Sequence, residues 1–452
     1  MNKSNDRNSA DETELMPSVI LVGLHLEDSR EAVSEKSRLK FERSMKELGA
    51  LAEAAGLRVR DTYTQNADAV NAGTFIGAGK LTEIRAYIDM CDSDGVPVDA
   101  VIFNETLSPI QLRNLSNAFD LPVMDRTALI LNIFSERAMT REARLQVEYA
   151  RLQYMLPRLQ GLHRELGRQG GGSGATSNKG AGEKKIELDR RHIEQRSAEL
   201  RRELEAVDRE RATQRQKRIS SGISRVSLVG YTNAGKSTIL NEMLDLYGAD
   251  EEKKVLEKDM LFATLDTTVR RIDPGSQRPF LLSDTVGFVS ELPTSLIKAF
   301  RSTLEDAAYA DMLLIVTDLS DPDCASQMQV TIDTLKEIGA GGVPRIFVFN
   351  KSDITGAEAL PHLDGMSSDD GIITISAKNK KDIMRLTDLI ECKLGEMRIE
   401  CDMLIPYSDG SALGPLKEDG CLEVREYTET GTMVHVTVRK ELYEKYRKYV
   451  TK

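Results

Sequence analysis

Eight residues with the spacing of a phosphate-binding loop lie near the middle of the chain. They follow an apolar run, Val226 to Val229, and precede a helix-like run toward Leu246. A chain that turns through glycines from a buried strand into a helix points its backbone N–H groups at an anion. The pattern therefore predicts a triphosphate site, in which Lys236 reaches the β- and γ-phosphates and Ser237 gives a hydroxyl to Mg²⁺. The residues of this loop and the first helical turn are Gly230, Tyr231, Thr232, Asn233, Ala234, Gly235, Lys236, Ser237 and Thr238.

A second element follows the next buried strand-like run. Asp284 stands 47 residues after Ser237 and directly after Phe280-Leu281-Leu282-Ser283. A carboxylate at this strand end can hold a metal ion through a water molecule, and Gly287 can offer its N–H to a γ-phosphate. We therefore expect nucleotide contacts from Asp284, Thr285, Val286 and Gly287.

Two further elements indicate which base is bound. Asp353, in Asn350-Lys351-Ser352-Asp353, can accept two N–H donors from guanine, whereas an adenine edge offers no such pair. The backbone of Ser376-Ala377-Lys378 follows another strand-like run and can meet the guanine carbonyl. Four elements in this order, each at a strand end, predict a GTP site rather than four unrelated turns.

The segment between Leu261 and Thr268 is predicted to close over the metal and the γ-phosphate. Three threonines compete for the metal. We expect Thr264 to bind it, and we interpret Thr267 and Thr268 as local turn or helix-cap hydroxyls.

Two residues bear on the chemistry of hydrolysis. Phe288 follows Gly287 where many GTPases carry a glutamine, and a phenyl ring cannot orient an attacking water. Slow intrinsic hydrolysis follows, with Lys236, Thr264 and Gly287 as the catalytic candidates. Asn233 has two interpretations: its amide oxygen helps to hold K⁺ near the phosphates, or its own hydrogen bonds shape the loop.

Composition limits the class of protein. The chain has 452 residues, 40% hydrophobic and 29% charged, and no run approaches the roughly 20 apolar residues that span a bilayer. The polar N-terminus and five scattered cysteines predict a cytoplasmic protein in a reducing compartment. We expect a monomer.

Positive charge is concentrated in one region of an acidic chain. The net charge is -11, yet the stretch from Ser135 to Arg225 holds 21 Lys and Arg against 13 Asp and Glu. Such asymmetry indicates contact with nucleic acid. The glycine-rich stretch 161–182 lies between two helix-like segments, and we interpret it as the mobile basic tip of a helical hairpin rather than as a plain linker.

Strand-like and helix-like runs alternate at the start of the chain and again after Ile223, which predicts parallel α/β sheets. From Thr127 about thirty residues without glycine or proline predict one long helix. The Gly77-Ala78-Gly79-Lys80 run lacks phosphate-loop spacing and is interpreted as a structural turn. A hairpin, Cys421 to Tyr427 and Thr432 to Val438, lies near the end.

The predicted fold class is α/β, with an N-terminal α/β domain and a long helical hairpin, a P-loop GTPase domain with a doubly wound sheet, and a small C-terminal α+β module. The predicted boundaries are a disordered tail at 1–17, the N-terminal domain at 18–126, the hairpin at 127–220, the GTPase domain at 223–397 and the C-terminal module at 400–452.

The chain also resembles the HflX family of ribosome-associated GTPases over nearly its whole length. The resemblance rests on motifs beyond those shared by all GTPases, which are Ser108-Pro109, Gln111, Arg113-Asn114-Leu115, Asp125-Arg126-Thr127, Leu145 to Glu148, Leu156 to Leu159, Gly170 to Gly172, Leu188 to Arg191, Gly230 to Thr238 and Phe262 to Asp266. It implies that Ser237 and Thr264 bind Mg²⁺ and that Phe262, Ala263, Thr264, Leu265 and Asp266 contact GTP.

The resemblance further implies a partner. The family binds the large ribosomal subunit in its GTP state, and some members split stalled or idle ribosomes, with the N-terminal domain and hairpin near the peptidyl transferase region. The hairpin tip from Ser173 to Lys184 departs from the family pattern, because an arginine and a proline are missing. The alternatives are a GTPase of ribosome assembly or RNA modification, and a non-catalytic, nucleotide-gated scaffold.

Overall fold

The computed structural model describes residues 16–26, 31–168, 179–220, 223–247, 262, 268–275, 278–285, 287–289, 306–355, 370–419 and 421–451. These residues form two compact units. The first contains the described residues up to Leu204 together with Phe262, and the second contains the others. Among the described residues, no helix combines the length and the apolar character needed to cross a membrane.

The first unit is built on a four-stranded parallel sheet. Its strands are β1 (Ser18–Leu26), β2 (Arg58–Ala67), β3 (Ala100–Phe103) and β4 (Val123–Asp125), in the order β2-β1-β3-β4. Helices connect them: α1 (Glu31–Ala54), α2 (Ala78–Ser93) and α3 (Pro109–Phe119). β1 is central and almost wholly buried, as an uninterrupted apolar run requires in a parallel sheet. The predicted parallel α/β arrangement is confirmed, and Gly77 only precedes α2, as the structural interpretation expects.

The long helix predicted from Thr127 is wrong in one respect, because the chain breaks there into two helices. These are α4 (Arg126–Arg137) and α5 (Arg141–Arg168). The break needs neither glycine nor proline, since the Thr140 hydroxyl accepts a hydrogen bond from the Ala143 N–H at 3.1 Å and starts α5. Pro157, in contrast, lies inside α5.

The predicted helical hairpin is confirmed. Helix α6 (Lys179–Ser220) runs antiparallel to α5, and the Arg196 guanidinium donates to both carboxylate oxygens of Glu148 at 2.7 and 3.0 Å. Gln153 donates to the Ser197 hydroxyl at 2.7 Å, and Leu200 is fully buried. The helices extend to Arg168 and from Lys179, so they include both ends of the 161–182 stretch predicted as the tip, while 169–178 lies outside the described residues, as does the predicted tail before residue 16.

A buried carboxylate joins the sheet of the first unit to α5. Asp125, fully buried at the end of β4, accepts hydrogen bonds from the N–H groups of Leu107 and Ala128. It also accepts from the Tyr154 hydroxyl and the Arg158 guanidinium, both at 2.6 Å. Burial, together with the Asp125 charge, raises the pKa of Tyr154, so its hydroxyl stays protonated and remains a donor. Four donors therefore compensate one buried charge.

The second unit contains a six-stranded sheet in the order β10-β9-β8-β5-β7-β6. Its strands are β5 (Ser224–Gly230), β6 (Thr268–Ile272), β7 (Phe280–Asp284), β8 (Met312–Asp318), β9 (Arg345–Asn350) and β10 (Gly371–Thr374). Sequence analysis missed β6, which pairs antiparallel with β7 at the sheet edge. Its polar sequence Thr-Val-Arg-Arg-Ile suits a half-exposed edge, and Thr268 is its first residue, so the cap or turn interpretation of Thr268 is wrong.

Helices flank this sheet, and a smaller sheet follows it. The helices are α7 (Lys236–Leu246), α8 (Cys324–Glu337), the short α9 (Ser352–Thr355) and α10 (Lys380–Glu396). The smaller sheet has the order β11-β13-β12 and is antiparallel, with strands β11 (Arg398–Pro406), β12 (Cys421–Tyr427) and β13 (Gly431–Arg439). Helices α11 (Leu413–Asp419) and α12 (Lys440–Tyr446) and a final 3₁₀ turn (Arg447–Tyr449) pack with it. The predicted hairpin is confirmed, whereas β11 was not expected.

Replacing Asp125 with Asn should destabilise the first unit. Arg158, whose side chain is 18% exposed, would lose its counter-charge; removing one partner of a fully buried pair costs about 3–5 kcal/mol, so the cost here should lie at or below the lower end of that range. Hydrogen exchange read by mass spectrometry on β4 and the start of α4 would measure the lower opening free energy. The exposed Asp68→Asn is the matched control and should change it by less than about 0.5 kcal/mol. Unchanged protection in D125N would show that the pair contributes nothing.

Candidate functional site

The phosphate-binding loop lies between β5 and α7, where sequence analysis placed it. The Lys236 ammonium is buried and donates to the carbonyl oxygens of Gly230 at 3.0 Å and Tyr231 at 2.7 Å. These bonds hold the amine beside the loop. Burial lowers the pKa of Lys236 to about 8, while the Asp284 charge acts in the opposite direction. The ammonium is therefore a charge that phosphate oxygens would stabilise further.

Glycine is required at position 235 for two reasons. Gly235 has φ 92°, in the left-handed region, and a Cβ there would lie 2.2 Å from Nδ2 of Asn350. It immediately precedes α7, whose first N–H groups have no acceptor within the helix. Asn233 also has a positive φ, 60°, which asparagine tolerates. This conformation favours the loop-shaping interpretation of Asn233, and a K⁺ ligand role stays a prediction.

The two described candidates for the metal are in contact. The Ser237 hydroxyl donates to Oδ2 of Asp284 at 2.7 Å, and Asp284 is fully buried at the end of β7. Within the described part of the chain, no group of three His, Cys, Asp or Glu side chains could form a metal site. One hydroxyl and one carboxylate fit Mg²⁺, which takes few protein oxygens and completes its shell with water and phosphate.

The segment after Asp284 closes against the phosphate-binding loop. The Thr232 N–H donates to the Phe288 carbonyl at 2.8 Å, and the Phe288 N–H donates to the Gly230 carbonyl at 3.1 Å. A Cβ on Gly287 would lie 2.8 Å from Cα of Thr232 and 3.1 Å from Nζ of Lys236. Gly287 thus lies beside Lys236, and the contact of its N–H with a γ-phosphate stays a prediction.

Two residues of this segment turn away from solvent. Phe288 is 1% exposed, so its ring is packed in the interior and only its main chain faces the loop. The Thr285 hydroxyl donates to the Leu228 carbonyl at 2.7 Å, which ties β7 to β5. The Thr285 side chain therefore has a structural role, and a nucleotide contact is left to its main chain.

A buried asparagine joins the phosphate side of the site to the guanine side. Nδ2 of Asn350 donates to the Ala234 carbonyl, and Oδ1 accepts from the Ala377 N–H, both at 2.9 Å. Sequence analysis expected Asn350 at the site but did not find this double role. It also missed Asp382, whose carboxylate accepts from the Ser376 N–H at 3.0 Å. The structure therefore brings the Ser376-Ala377 loop to the phosphate-binding loop.

The residues expected to read the base lie at the end of β9. Asp353 is exposed on α9, so its carboxylate is accessible to a ligand. Lys351 has φ 62° and pairs with Asp318 at 2.7 Å, which holds this less favourable backbone conformation. Asp318 was missed because only the register of β8 and β9, which places it opposite Asn350, brings it here.

Phe262, one of the predicted nucleotide contacts, packs within the first unit. It is 2% exposed, has φ 57°, and its ring packs edge-on against Phe134 of α4 with centroids 4.6 Å apart. Both rings belong to the first unit. The ring of Phe262 is thus engaged with protein, and only its main chain could meet GTP. Ala263, Thr264, Leu265, Asp266 and Val286 lie outside the described residues, and their roles stay predictions.

Four features together define a P-loop GTPase. They are a doubly wound sheet, a phosphate-binding loop that carries Lys236 and Ser237, the buried Asp284 at the end of β7, and the base loops that Asn350 joins to the phosphate-binding loop. Family models agree along the chain. They match a GTP-binding GTPase N-terminal region over residues 42–135, a GTP-binding GTPase middle region over 137–218, and a 50S ribosome-binding GTPase domain over 225–351.

Curated relatives identify the family. The chain is 41% identical over 431 residues to GTPase HflX of Lacrimispora saccharolytica, which covers 95% of both chains. It is also 41% identical to GTPase HflX of Caldanaerobacter subterraneus, over 90% of each chain, and 39% identical to that of Alkalihalophilus pseudofirmus, over 91% of each. The chain belongs to the GTPase HflX family and is a GTP-hydrolysing enzyme.

Replacing Gly287 with Ala should slow hydrolysis without abolishing nucleotide binding. The added Cβ meets Thr232 and Lys236, so the segment must withdraw and take its N–H away from the γ-phosphate. Losing one such donor lowers kcat by about 10²–10³-fold, which single-turnover GTP hydrolysis would measure, while GDP affinity should stay within about threefold.

Gly342→Ala is the matched control, because a Cβ there has no heavy atom within 4 Å. Wild-type turnover in G287A would mean that the close approach of this segment to the loop is irrelevant to the chemistry.

Proposed function

We propose that this GTPase binds the large ribosomal subunit in its GTP state, through RNA contacts of its N-terminal domain and hairpin, and leaves after hydrolysis. The proposal includes the splitting or rescue of stalled or idle ribosomes. The observation that carries it is the combination of a GTP site with a long, cation-rich helical hairpin, supported by the match to a 50S ribosome-binding GTPase domain.

The structure separates the cations that build the fold from those that face solvent. Arg126 is 3% exposed and bonded to Glu47, and Arg158 is bonded to Asp125. These two arginines stabilise the first unit and are not counted as RNA contacts. Among the described hairpin residues, the exposed arginines are Arg141, Arg144, Arg151, Arg191, Arg201, Arg202 and Arg209. Exposed guanidinium groups spread along a helix suit the regularly spaced phosphates of RNA.

The residues of the site suggest how hydrolysis proceeds. Lys236 and the first N–H groups of α7 hold the phosphates, and Gly287 lies where its N–H can stabilise charge on the γ-phosphate. Ser237, Asp284 through water, and Thr264 would hold Mg²⁺, which would offset the negative charge of the phosphates.

The buried Phe288 leaves the attacking water without a side chain at that position. Intrinsic hydrolysis should therefore be slow and should rise when the ribosome completes the site. In this proposal the GTP-bound state lasts as long as the protein needs to stay on the subunit.

Two other functions give different results. A GTPase of ribosome assembly or RNA modification would prefer immature particles to mature large subunits. A nucleotide-gated scaffold would show no ribosome-stimulated turnover.

Co-sedimentation tests the proposal directly. The protein with a non-hydrolysable GTP analogue should pellet with large subunits, less so with GDP, and binding should weaken as salt rises because RNA phosphate contacts release counter-ions. GTP turnover should increase many-fold with large subunits. Lys236→Ala should abolish turnover, whereas the exposed Lys336→Ala should not. Absence of the wild-type protein from the pellet at moderate salt would refute the ribosome role.

Guanine specificity is tested at Asp353. Its carboxylate can accept two guanine N–H donors, and each charge-assisted hydrogen bond contributes about 1.5–3 kcal/mol. Asp353→Asn should therefore weaken GTP binding by on the order of 10²–10⁴-fold and allow binding of xanthosine triphosphate, whose 2-carbonyl accepts from the new amide.

Asp333→Asn on the exposed face of α8 is the control and should leave both affinities unchanged. Equilibrium binding of fluorescent GTP, xanthosine triphosphate and ATP to the wild type and both variants measures this change of base specificity. Unaltered GTP affinity in D353N would remove Asp353 from the base site.

A further inference from the structure

The C-terminal end of the second unit carries charge of the opposite sign to the rest of its small sheet. Residues 398–438 contain 3 Lys and Arg against 8 Asp and Glu, whereas residues 439–448 contain 5 Lys and Arg against 2 Glu. The cations of this last stretch therefore do not reflect a generally basic protein. Four of them, Lys440, Lys445, Arg447 and Lys448, are exposed, and we name them the basic C-terminal surface.

Tyrosines fix the position of this surface. Tyr443, Tyr446 and Tyr449 recur every three residues and pack, partly buried, against the core of the small sheet. The rings of Tyr446 and Tyr449 stack with centroids 6.2 Å apart and an interplanar angle of 25°. The Tyr449 hydroxyl also donates to Asp409. The last turn of the chain is thus held on the sheet by its aromatic face.

Two lysines lie on those rings. Nζ of Lys445 lies 5.3 Å from the ring centroid of Tyr446, and Nζ of Lys448 lies 4.5 Å from that of Tyr449. A ring face attracts an ammonium group and restricts its side chain, which reduces the entropy lost when the lysine contacts a further anion. Contact with Tyr449 also raises the pKa of Lys448. Both lysines are therefore partly preorganised.

The nearby acids do not neutralise the surface. Arg447 lies 3.8 Å from Glu444, and Lys448 lies 3.8 Å from Asp409, and all four side chains are at least 46% exposed. Ion pairs this long and this exposed contribute about 0–1 kcal/mol. A polyanion can replace them at little cost.

We propose that the basic C-terminal surface binds the phosphate backbone of ribosomal RNA, as a contact separate from the hairpin. This inference rests on the proposed function, because it assigns a second RNA contact to the same ribosome-bound state. RNA fits better than a lipid surface, because the apolar side chains of this stretch, Leu442, Tyr443, Tyr446 and Val450, pack against the small sheet instead of forming an outward apolar face beside the cations. Four exposed cations within the nine residues from Lys440 to Lys448 suit a row of phosphates.

The test is a salt titration of the double variant K445Q/K448Q. Wild-type protein and variant are titrated with large subunits in the presence of a non-hydrolysable GTP analogue, and separately with ribosomal RNA stripped of protein. Two lost phosphate contacts should lower the slope of log affinity against log salt by about 1.4–1.8, and the affinity near 0.1 M salt by on the order of tenfold. Basal GTP turnover should be unchanged.

The matched control K336Q/K417Q removes the same charge from exposed lysines outside the surface and should keep the wild-type slope. The inference is overturned if K445Q/K448Q and this control show the same slope of log affinity for RNA against log salt. It is also overturned if, in a parallel assay with phosphatidylserine vesicles, K445Q/K448Q loses binding to the vesicles but not to RNA. The two proposals can fail separately. If the wild-type protein binds stripped RNA but not subunits, and the salt slope for RNA is reduced in K445Q/K448Q, the proposed ribosome role is refuted and the RNA contact is supported.

Discussion

The nucleotide site depends on the buried amide of Asn350, which is 1% exposed and ends β9. An amide offers a donor and an acceptor in one rigid plane, and here the donor binds the Ala234 carbonyl while the acceptor receives the Ala377 N–H. The phosphate and base loops come from distant parts of the chain, so this side chain fixes the distance between them. Its position also explains Gly235, since any Cβ there would collide with the amide.

The first unit depends on a comparable buried group. Asp125 receives four hydrogen bonds, two from backbone and two from α5, so that the first helix of the hairpin is bonded to the end of the sheet. The motifs that mark the family here have internal partners: Arg126 binds Glu47, and Ser108 and Gln111 cap α3 reciprocally. These motif residues therefore specify the geometry of a scaffold.

Which cations are exposed and which are paired inside the protein decides what can bind RNA. A net charge of -11 disfavours RNA as a partner when averaged over the chain, yet RNA contacts depend on local, exposed cations. Arg158 shows that the count from Ser135 to Arg225 overestimates the cations available, because its guanidinium is paired with the buried Asp125. Lys445 and Lys448 are the opposite case. Each ammonium group lies over a tyrosine ring that restricts it, so a small number of cations can bind an anion effectively.

The sequence by itself determined the parts that depend on local chemistry. Glycine turns at strand ends and uninterrupted apolar runs marked the phosphate-binding loop, Asp284, Asp353 and the central strands, because backbone conformation and burial leave periodic traces. Only the tertiary structure revealed β6, β11, the break before Thr140, the acids behind Lys351 and Ser376, and the packing of Phe262 on Phe134. Asp318 and Phe134 lie far along the chain from their partners, and β6 is a polar edge strand without a hydrophobic pattern, so no local signal distinguishes them until the strands are in register. The break before Thr140 and the bond from Ser376 to Asp382 are local, but they depend on single polar contacts that hydrophobic periodicity does not register.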